Sequence, residues 1–381
     1  PSYSPPPPPP AAPRAADVAR GIDLEPHTNP TRRERAPDEP PVRPLYTPAI
    51  ARDTVRQFKT IPYARTTDLG NNIRFTFFDA GHILGSAWIL LEWTEASHPR
   101  SLLFTADIGR HGTPIINDPV LPARPVDFVI TESTYAGKTH APMATAGHLL
   151  LECFQSIQQS RGRMIVPAFA VGRTQTILWY YARFVEDGLI DPFPVFVDSP
   201  MAVEVTHTYA GFPQFFDPET HALLTQQSQR KLPITLAGSS QQSREINSAK
   251  GPCLIIASSP TLEFGRVLHH VKISLERPQD LIAFVGWTPP YTLGRRIIEG
   301  QSRVRIFDRF YDVKCQRRTI NGLSAHADGH ELLAFLKPAL APHTRCFIVH
   351  GEPPRAEAMA RLLHEAGATA IVPATQTCVI A

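Results

Sequence analysis

Five polar side chains that can bind a metal ion or transfer a proton are associated with apolar runs in this sequence. They are His82 in FFDAGHILGSA, Asp107 after SLLFTA, Glu132 after FVIT, His326 in TINGLSAHADG and His350 at the end of CFIVHGE. In open α/β sheets, ligands bind at the carboxyl ends of strands, where Asp107, Glu132 and His350 fall. Any one of the five is more simply explained as a helix cap, a turn carboxylate or a hydrogen-bonded histidine. Together they predict a metal-binding or acid–base site.

Two further polar residues lie close to His326, with a spacing that superficially resembles a pair of metal ligands. Asp328 and His330 stand at the start of the helical pattern GHELLAFLK. Asp328 is therefore predicted to be the N-cap of that helix, and His330 is predicted to lie on its exposed first turn. Neither residue is predicted to bind a metal.

The overall composition is that of a globular protein with a disordered start. The chain has 381 residues, with 43% hydrophobic and 19% charged residues, which indicates two domains or one domain with a large insertion. Residues 1–43 are rich in proline, including six consecutive prolines from Pro5 to Pro10. We expect this segment to be a disordered tail. The formal net charge of +3 permits a polyanionic partner without requiring one.

The cysteines and the apolar runs indicate a cytoplasmic protein. The five cysteines are scattered, mostly in apolar segments, and form no Cys-x-x-Cys pair. This pattern is typical of reduced thiols and argues against a disulfide framework or a cysteine metal site. The apolar runs fall short of the roughly 18 residues that a membrane helix needs, so no membrane partner is predicted.

The hydrophobic periodicity divides the chain into two kinds of structure. Short apolar runs bounded by Gly, Pro or Asp predict successive strands between residues 73 and 131. Helical patterns then alternate with strands between residues 145 and 285. This alternation predicts βαβ units with a parallel sheet, as in a Rossmann-like insert. Strands and two helices are predicted again from about residue 304 to 372.

Nine motifs that occur in a fixed order give the sequence a specific resemblance. FDAGHILGSA, FTADIGR, TESTYAGKTH, VPAFAVGRTQ, DSPMA, GRVLHH, TLGRR, NGLSAHAD and VHGE resemble those of the β-CASP family of metallo-β-lactamase-fold nucleases. The resemblance implies an α/β fold, with a metallo-β-lactamase αββα sandwich interrupted by a Rossmann-like β-CASP cap domain. It places an incomplete N-terminal core at 44–142, the cap at 143–312 and the returning core, an RNA-metabolising segment, at 313–381.

The resemblance also implies roles for the five polar residues. His82, Asp107 and His350 are expected to be metal ligands, with the Asp107 carboxylate bridging two zinc ions. His326 is expected to be the general acid that protonates the leaving oxygen, and Glu132 is expected to orient His326. These residue types suit that chemistry, because a bridging ligand must be a carboxylate and a histidine titrates near neutrality.

One family signature, His-x-His-x-Asp-His, does not occur in this chain. In the family it supplies ligands to both zinc ions, so only weak or partial zinc binding is expected here. One explanation is that the chain is a fragment of an active enzyme, which we favour because the later motifs are intact. The other is a non-catalytic paralogue that binds RNA or scaffolds a complex. A different metallo-β-lactamase-fold hydrolase is disfavoured by the cap and by VPAFAVGR.

The partner expected from the resemblance is RNA, most simply single-stranded and cut endonucleolytically. Arginines suit a phosphate backbone, and the candidates for RNA binding are Arg173, Arg266, Arg295 and Arg296. For any one arginine a solvated surface charge is the simpler explanation. A homodimer or the partners of a processing complex are also expected from the family.

Two positions in the cap region depart from the family pattern. Pro260 follows the two serines of IIASSPTLEFGR, and Tyr291 lies in WTPPYTLGR, where the family usually has glycine at both positions. Proline lacks an N–H group that could bind phosphate. We therefore expect these changes to alter how RNA is held and not the fold.

Overall fold

The computed structural model describes residues 45–227 and 231–374. The predicted proline-rich tail, residues 1–43, lies outside the described residues, as does Cys378. In chain order the described strands are β1 (Thr67–Gly70), β2 (Ile73–Asp79), β3 (Ala87–Glu95), β4 (His98–Phe104), β5 (Phe128–Thr131), β6 (Arg163–Pro167), β7 (Val195–Asp198), β8 (Ile234–Leu236), β9 (Cys253–Ala257), β10 (Leu281–Phe284), β11 (Arg303–Ile306), β12 (Arg309–Asp312), β13 (Gln316–Thr319), β14 (Arg345–Ile348) and β15 (Thr369–Ile371).

One helix precedes the first strand, and the others lie between strands. In chain order the described helices are α1 (Pro48–Val55), α2 (Met143–Ser160), α3 (Arg173–Glu186), α4 (Pro200–Ala210), α5 (Pro218–Gln227), α6 (Ser240–Ile246), α7 (Val267–Ser274), α8 (Leu293–Ile298), α9 (Gly329–Leu336) and α10 (Pro353–Glu365). Among them none is both long enough and apolar enough to cross a bilayer.

A seven-stranded mixed sheet has the order β1-β2-β3-β4-β5-β14-β15. Strands β1 to β4 pair antiparallel with one another, whereas β5 joins β4 in parallel and is followed in parallel by β14 and β15. One face of this sheet is buried beneath α9 and α10. Trp88 and Leu103 contribute to that core from the sheet, and Phe335 and Met359 contribute from the helices.

The opposite face of the seven-stranded sheet is also apolar but is less covered. Paired positions place Phe77, Ile89, Phe104, Ile130 and Phe347 in one row across five strands. These side chains are partly accessible, up to 36% for Phe104, whereas neighbours on the first face such as Leu103 are fully buried. The two faces of this sheet therefore differ in coverage.

A six-stranded sheet, with the order β13-β10-β6-β9-β7-β8, is parallel throughout. Every residue of β9 is buried, because one apolar cluster covers Leu254 and Ile256 and another covers Ile255. A strand covered on both faces is expected to be continuously apolar, as β9 is. The predicted Rossmann-like block is confirmed in this sheet, and so is the α/β fold class.

The strand β13 connects the two parts of the molecule. It pairs with β10 at the edge of the six-stranded sheet, although it lies beyond residue 312, where we predicted the cap to end. The chain then runs from Thr319 to His326 and into α9, which packs on the seven-stranded sheet. The predicted domain boundaries themselves stay a prediction.

Candidate active site

His82 is held by a tight loop between β2 and β3. Gly81, at φ +62°, donates its N–H to Asp79 Oδ1 at 2.9 Å, and Ser86 Oγ accepts the N–H of His82 at 3.1 Å. A Cβ on Gly109 would lie 1.7 Å from the carbonyl oxygen of Gly81, so the two backbones can approach only because Gly109 lacks one. This contact brings the loop of His82 against the segment that carries Asp107.

Asp107 and Glu132 follow the neighbouring strands β4 and β5. The Glu132 side chain is 2% exposed, and its Oε1 accepts the N–H of Ile108 at 2.9 Å. The side chain of Asp107 is 43% exposed, and His350 Nδ1 lies 3.7 Å from its Oδ1. Two carboxylates from adjacent strand ends thus serve different purposes: Glu132 is bound internally, and Asp107 is open to a ligand.

A side-chain contact in the site joins His326 to Glu132. His326 Nδ1 lies 3.3 and 3.2 Å from the two carboxylate oxygens of Glu132, so Nδ1–H donates to them and Nε2 is left for other chemistry. Burial lowers the pKa of His326, but the hydrogen bond and charge of Glu132 outweigh it, and the net pKa is raised. Burial raises the pKa of Glu132, but His326 outweighs this effect and the net pKa is lowered.

The other two predicted histidines flank His326. The ring of His82 lies 4.4 Å from that of His326, and the ring of His350 lies 6.5 Å from it on centroid distances. The Nδ1 atom of His82 is buried without a hydrogen-bond partner, and burial, with the charge of His326, lowers the pKa of His82. His350 is 64% exposed, and its Nδ1 lies 3.2 Å from Thr134 Oγ1.

Two groups of side chains could hold a metal ion, and Asp107 belongs to both. The ligand atoms of His82, Asp107 and His326 lie within 4.8 Å of one another, and so do those of Asp107, Glu132 and His350. Imidazole nitrogens and carboxylate oxygens are zinc ligands, and the unpartnered Nδ1 of buried His82 fits that use. The Glu132 carboxylate already accepts bonds from His326 and the backbone, so it suits an orienting role better.

The structure brings one of the four predicted arginines to these groups. Arg173 begins α3, and its charge is close enough to oppose protonation of His326. Its Nη1 is buried without a hydrogen-bond partner, and burial lowers its pKa to about 10.

The other three predicted arginines lie in the cap region. Arg266 donates to Asp198 Oδ1 at 2.9 Å and to two backbone carbonyls, so it forms an internal tie. Arg295 on α8 pairs with Glu299 at 2.7 Å, and burial lowers the pKa of neighbouring Arg296. Their role in RNA binding stays a prediction.

Sequence reasoning missed the residues that fix the backbone of His326. The ring of His140 lies 4.6 Å from that of Tyr135, and His140 Nε2 lies 3.1 Å from the carbonyl oxygen of His326. Asp328 accepts the N–H of His140 at 3.0 Å and also caps α9 in a capping box with Glu331, so its predicted role as an N-cap is confirmed. The motif TESTYAGKTH contains both missed residues, but nothing in their spacing reveals their target.

Comparisons with known proteins identify the family of the chain. Residues 174–297 match the Beta-Casp domain, and residues 311–373 match the Zn-dependent metallo-hydrolase RNA specificity domain. A ribonuclease of Thermus thermophilus is 30% identical over 84% of this chain and 72% of its own length. The chain belongs to the β-CASP family of metallo-β-lactamase-fold RNA nucleases.

Other relatives of this β-CASP protein include a transcription termination factor and an RNase J-like protein. The transcription termination factor FttA of Methanosarcina mazei is 27% identical, over 81% of this chain and 49% of its own length. An RNase J-like protein of Methanocaldococcus jannaschii is 27% identical, over 78% of this chain and 68% of its own length. The chain thus spans about half the length of the FttA proteins that it matches. The family is one of metal-dependent hydrolases that act on RNA.

Proposed function

We propose that this chain is part of a zinc-dependent ribonuclease that hydrolyses internal phosphodiester bonds of single-stranded RNA. One observation carries the proposal. His326 is held by Glu132 through Nδ1, in a group of potential ligand atoms that also includes His82 and Asp107. Such a pair fixes the orientation of the imidazole and leaves Nε2 to exchange a proton with the substrate.

The metal would be held by His82, Asp107 and His350, with Asp107 shared between two zinc ions. Bound zinc would supply Lewis-acid polarisation of the phosphodiester and a water nucleophile near neutral pH. Catalytic zinc ions normally have three protein ligands, and here each ion would have two. We therefore expect weak or partial occupancy for the chain with only these ligands.

The side chains of the protein would handle the proton and the phosphate. As the oxygen of a hydroxide ion, a water that has already lost one proton to solvent, bonds to phosphorus, the bond between phosphorus and the 3′ oxygen breaks. His326, whose pKa Glu132 raises, would give its Nε2 proton to that leaving oxygen. The buried guanidinium of Arg173 would attract the phosphate oxygens, because it is close to His326 and its Nη1 is unpartnered.

The second candidate function is a non-catalytic RNA-binding or scaffolding subunit. The observation that favours it is that each group of three potential ligands among the described residues keeps two once His326 and Glu132 are assigned to proton transfer. Another type of metallo-β-lactamase-fold hydrolase has less support, because the RNA specificity domain matches. A homodimer and partners from a processing complex remain predictions.

We also propose the domain organisation that the motifs predict, with a core at 44–142, a cap at 143–312 and a returning core at 313–381. The location proposed is the cytoplasm. The four cysteines in the described part of the chain are buried and free, which suits a reducing compartment.

Cleavage of a labelled single-stranded RNA in the presence of zinc tests the proposed function. Substituting His326→Gln should lower the cleavage rate by about 10²- to 10⁴-fold and leave RNA affinity unchanged, because a general acid acts in the chemical step. His330→Gln is the matched control, since His330 is exposed on the first turn of α9.

The metal and binding measurements separate the two candidates. Zinc bound to the chain and lost in His82→Ala, together with cleavage that needs His326, would support the ribonuclease. RNA binding with no cleavage at saturating zinc would favour the scaffolding subunit. Absence of any RNA binding would refute both.

A further inference from the structure

Four exposed aromatic side chains lie on the loops that follow three neighbouring strands of the six-stranded sheet. We call Phe169, Phe264, Trp287 and Tyr291 the aromatic rim; they are 59%, 68%, 54% and 84% exposed, respectively. They follow β6, β9 and β10, which are adjacent in the order β10-β6-β9. Because these strands are parallel, their following loops emerge at one edge of the sheet. Adjacent strands lie about 4.8 Å apart, so the loops start close together.

Hydrogen bonds hold the backbones of the rim loops while the rings face solvent. Two residues of the loop after β9 accept hydrogen bonds. Glu263 Oε1 accepts the N–H of Leu293, and the carbonyl oxygen of Thr261 accepts the N–H of Gly294 at 3.0 Å. These two bonds tie the loop of Phe264 to the start of α8, which begins two residues after Tyr291. The loop after β6 is held by Thr174, whose Oγ1 donates to the carbonyl of Phe169 at 2.8 Å. The rim is therefore a supported surface.

Tyr291 has an unfavourable backbone conformation, and its exposed ring is not packed in a way that would offset the cost. Its φ is +70°, in the left-handed region that favours glycine, and the residue is 84% exposed. A bulky residue in this conformation costs free energy relative to glycine. An exposed ring held at a cost is a candidate for contact with a ligand.

The rim shares its edge of the sheet with the candidate active site. The loop after β6 ends at Gly172, and a Cβ added there would lie 3.0 Å from Ile83, the neighbour of His82. Arg173 follows directly and acts on His326. From the same edge, β13 leads into the segment that carries His326. A strand of RNA bound at the active site would therefore have the rim beside it.

We propose that the aromatic rim is a stacking surface for the bases of single-stranded RNA next to the cleavage site. This inference rests on the proposed function, with RNA as the substrate. Every base has a flat face, so stacking holds RNA without reading its sequence. Bases in a duplex are stacked and paired already, so the surface selects single strands. The nearby charge of Arg173 complements the backbone that carries the bases.

The experiment measures equilibrium binding of a fluorescein-labelled 12-nucleotide oligo(A) RNA to the chain in EDTA, so that cleavage does not interfere. Tyr291→Gly should weaken binding about five- to 150-fold, the range for loss of one base–aromatic stack. This variant also removes the unfavourable φ, so it should fold at least as well. Trp287→Ala should weaken binding similarly, and Trp287→Phe should keep most of the affinity.

Two controls make the result specific for stacking. Phe58→Ala removes an aromatic side chain that is 72% exposed and precedes the first strand, and it should leave affinity unchanged. An abasic ribose-phosphate 12-mer should bind more weakly than oligo(A), and Tyr291→Gly should not weaken it further. Stacking on Trp287 should also quench the tryptophan fluorescence of the protein when unlabelled oligo(A) binds. Trp287→Phe should remove that change in tryptophan fluorescence.

The outcomes separate this inference from the proposed function. If the unsubstituted chain binds oligo(A) and the rim variants bind it equally well, the rim inference is wrong and the proposed function stands. If rim variants change the sedimentation coefficient of the chain but not RNA affinity, the rim is a self-association surface and the inference is wrong. If the unsubstituted chain binds no RNA, the proposed function fails and the rim inference fails with it.

Discussion

The two large sheets of this protein differ in how completely they are covered. The six-stranded sheet is parallel and is packed on both faces, so its strand β9 has no exposed side. The seven-stranded sheet is mixed; helices α9 and α10 bury one face, and the other carries a row of partly accessible apolar side chains. Among the described residues, the six-stranded sheet therefore has an apolar core on both faces (the two-sided sheet), and the seven-stranded sheet has one on a single face (the one-sided sheet).

Both sheets contribute residues to the candidate site, so the site does not depend on a single sheet that is covered on both faces. The ends of the one-sided sheet supply Asp107, Glu132 and His350, whereas the two-sided sheet leads to Arg173 and His326. The contact between His326 and Glu132 joins the two contributions. Substitutions in the two sheets should consequently affect stability differently, and four comparisons test this.

The largest effect is expected at Asp198 in the two-sided sheet. Its buried carboxylate accepts bonds from Arg266 at 2.9 Å, His270 at 2.6 Å and Ser243 at 2.6 Å. Asp198→Asn should lower the free energy of unfolding by about 3–5 kcal/mol, because it leaves a cation without its buried partner. Urea unfolding followed by circular dichroism measures the loss. A loss below about 1 kcal/mol would show that the network adds little to the stability of this sheet.

The second comparison uses neighbouring residues on opposite faces of β9. Ile255 and Ile256 are 0% and 1% exposed and belong to different apolar clusters. Ile255→Ala and Ile256→Ala should each cost about 2–5 kcal/mol, because both faces of the strand are buried. The measurement is again the free energy of unfolding in urea. Unequal costs, with one below about 1 kcal/mol, would contradict two-sided coverage.

The third comparison makes the same test in β4. Leu103 is fully buried and Phe104 is 36% exposed on the opposite face. Leu103→Ala should cost about 2–5 kcal/mol, whereas Phe104→Ala should cost about 1–2 kcal/mol, below the about 3–5 kcal/mol typical of a buried phenylalanine. If thermal and urea unfolding gave a cost for Phe104→Ala in that higher range, the face would be covered in solution.

The smallest effect is expected at Asp127, which joins β5 to β4. Burial raises the pKa of Asp127, but hydrogen bonds from Ser101 and the charge of Arg100 outweigh it, and the net pKa is lowered. A carboxylate with a lowered pKa stabilises the fold above its unfolded pKa of about 3.9, and that stability is lost as pH falls through the lower folded value.

Asp127→Asn should therefore cost about 1 kcal/mol at pH 7 and reduce the loss of stability between pH 5 and the acid range. Urea unfolding at a series of pH values measures both quantities. Asp53→Asn, on exposed helix α1, is the control that should change neither. An unchanged acid dependence in Asp127→Asn would assign the pH effect to other groups.

The sequence predicted the polar residues at the strand ends because local patterns determine them. An apolar run followed by Asp, Glu or His places that side chain at an edge of a sheet, whatever the rest of the chain does. It also predicted the alternation of strands and helices in the cap region, and it predicted that Asp328 is the N-cap of α9. Elements such as α1 and β8 were missed because they are short and bury little.

Tertiary structure decided which of these residues act together. Sheet order places β14 beside β5 across more than 200 residues of sequence, and only that pairing brings His350 near Asp107 and Glu132. The pairing of β13 with β10, and the bond from His326 to Glu132, are likewise contacts between distant segments. The sequence by itself determined the kinds of groups available and the local elements that carry them. Their distances, their burial and the raised pKa of His326 depend on long-range packing, because charge and desolvation act through space and not along the chain.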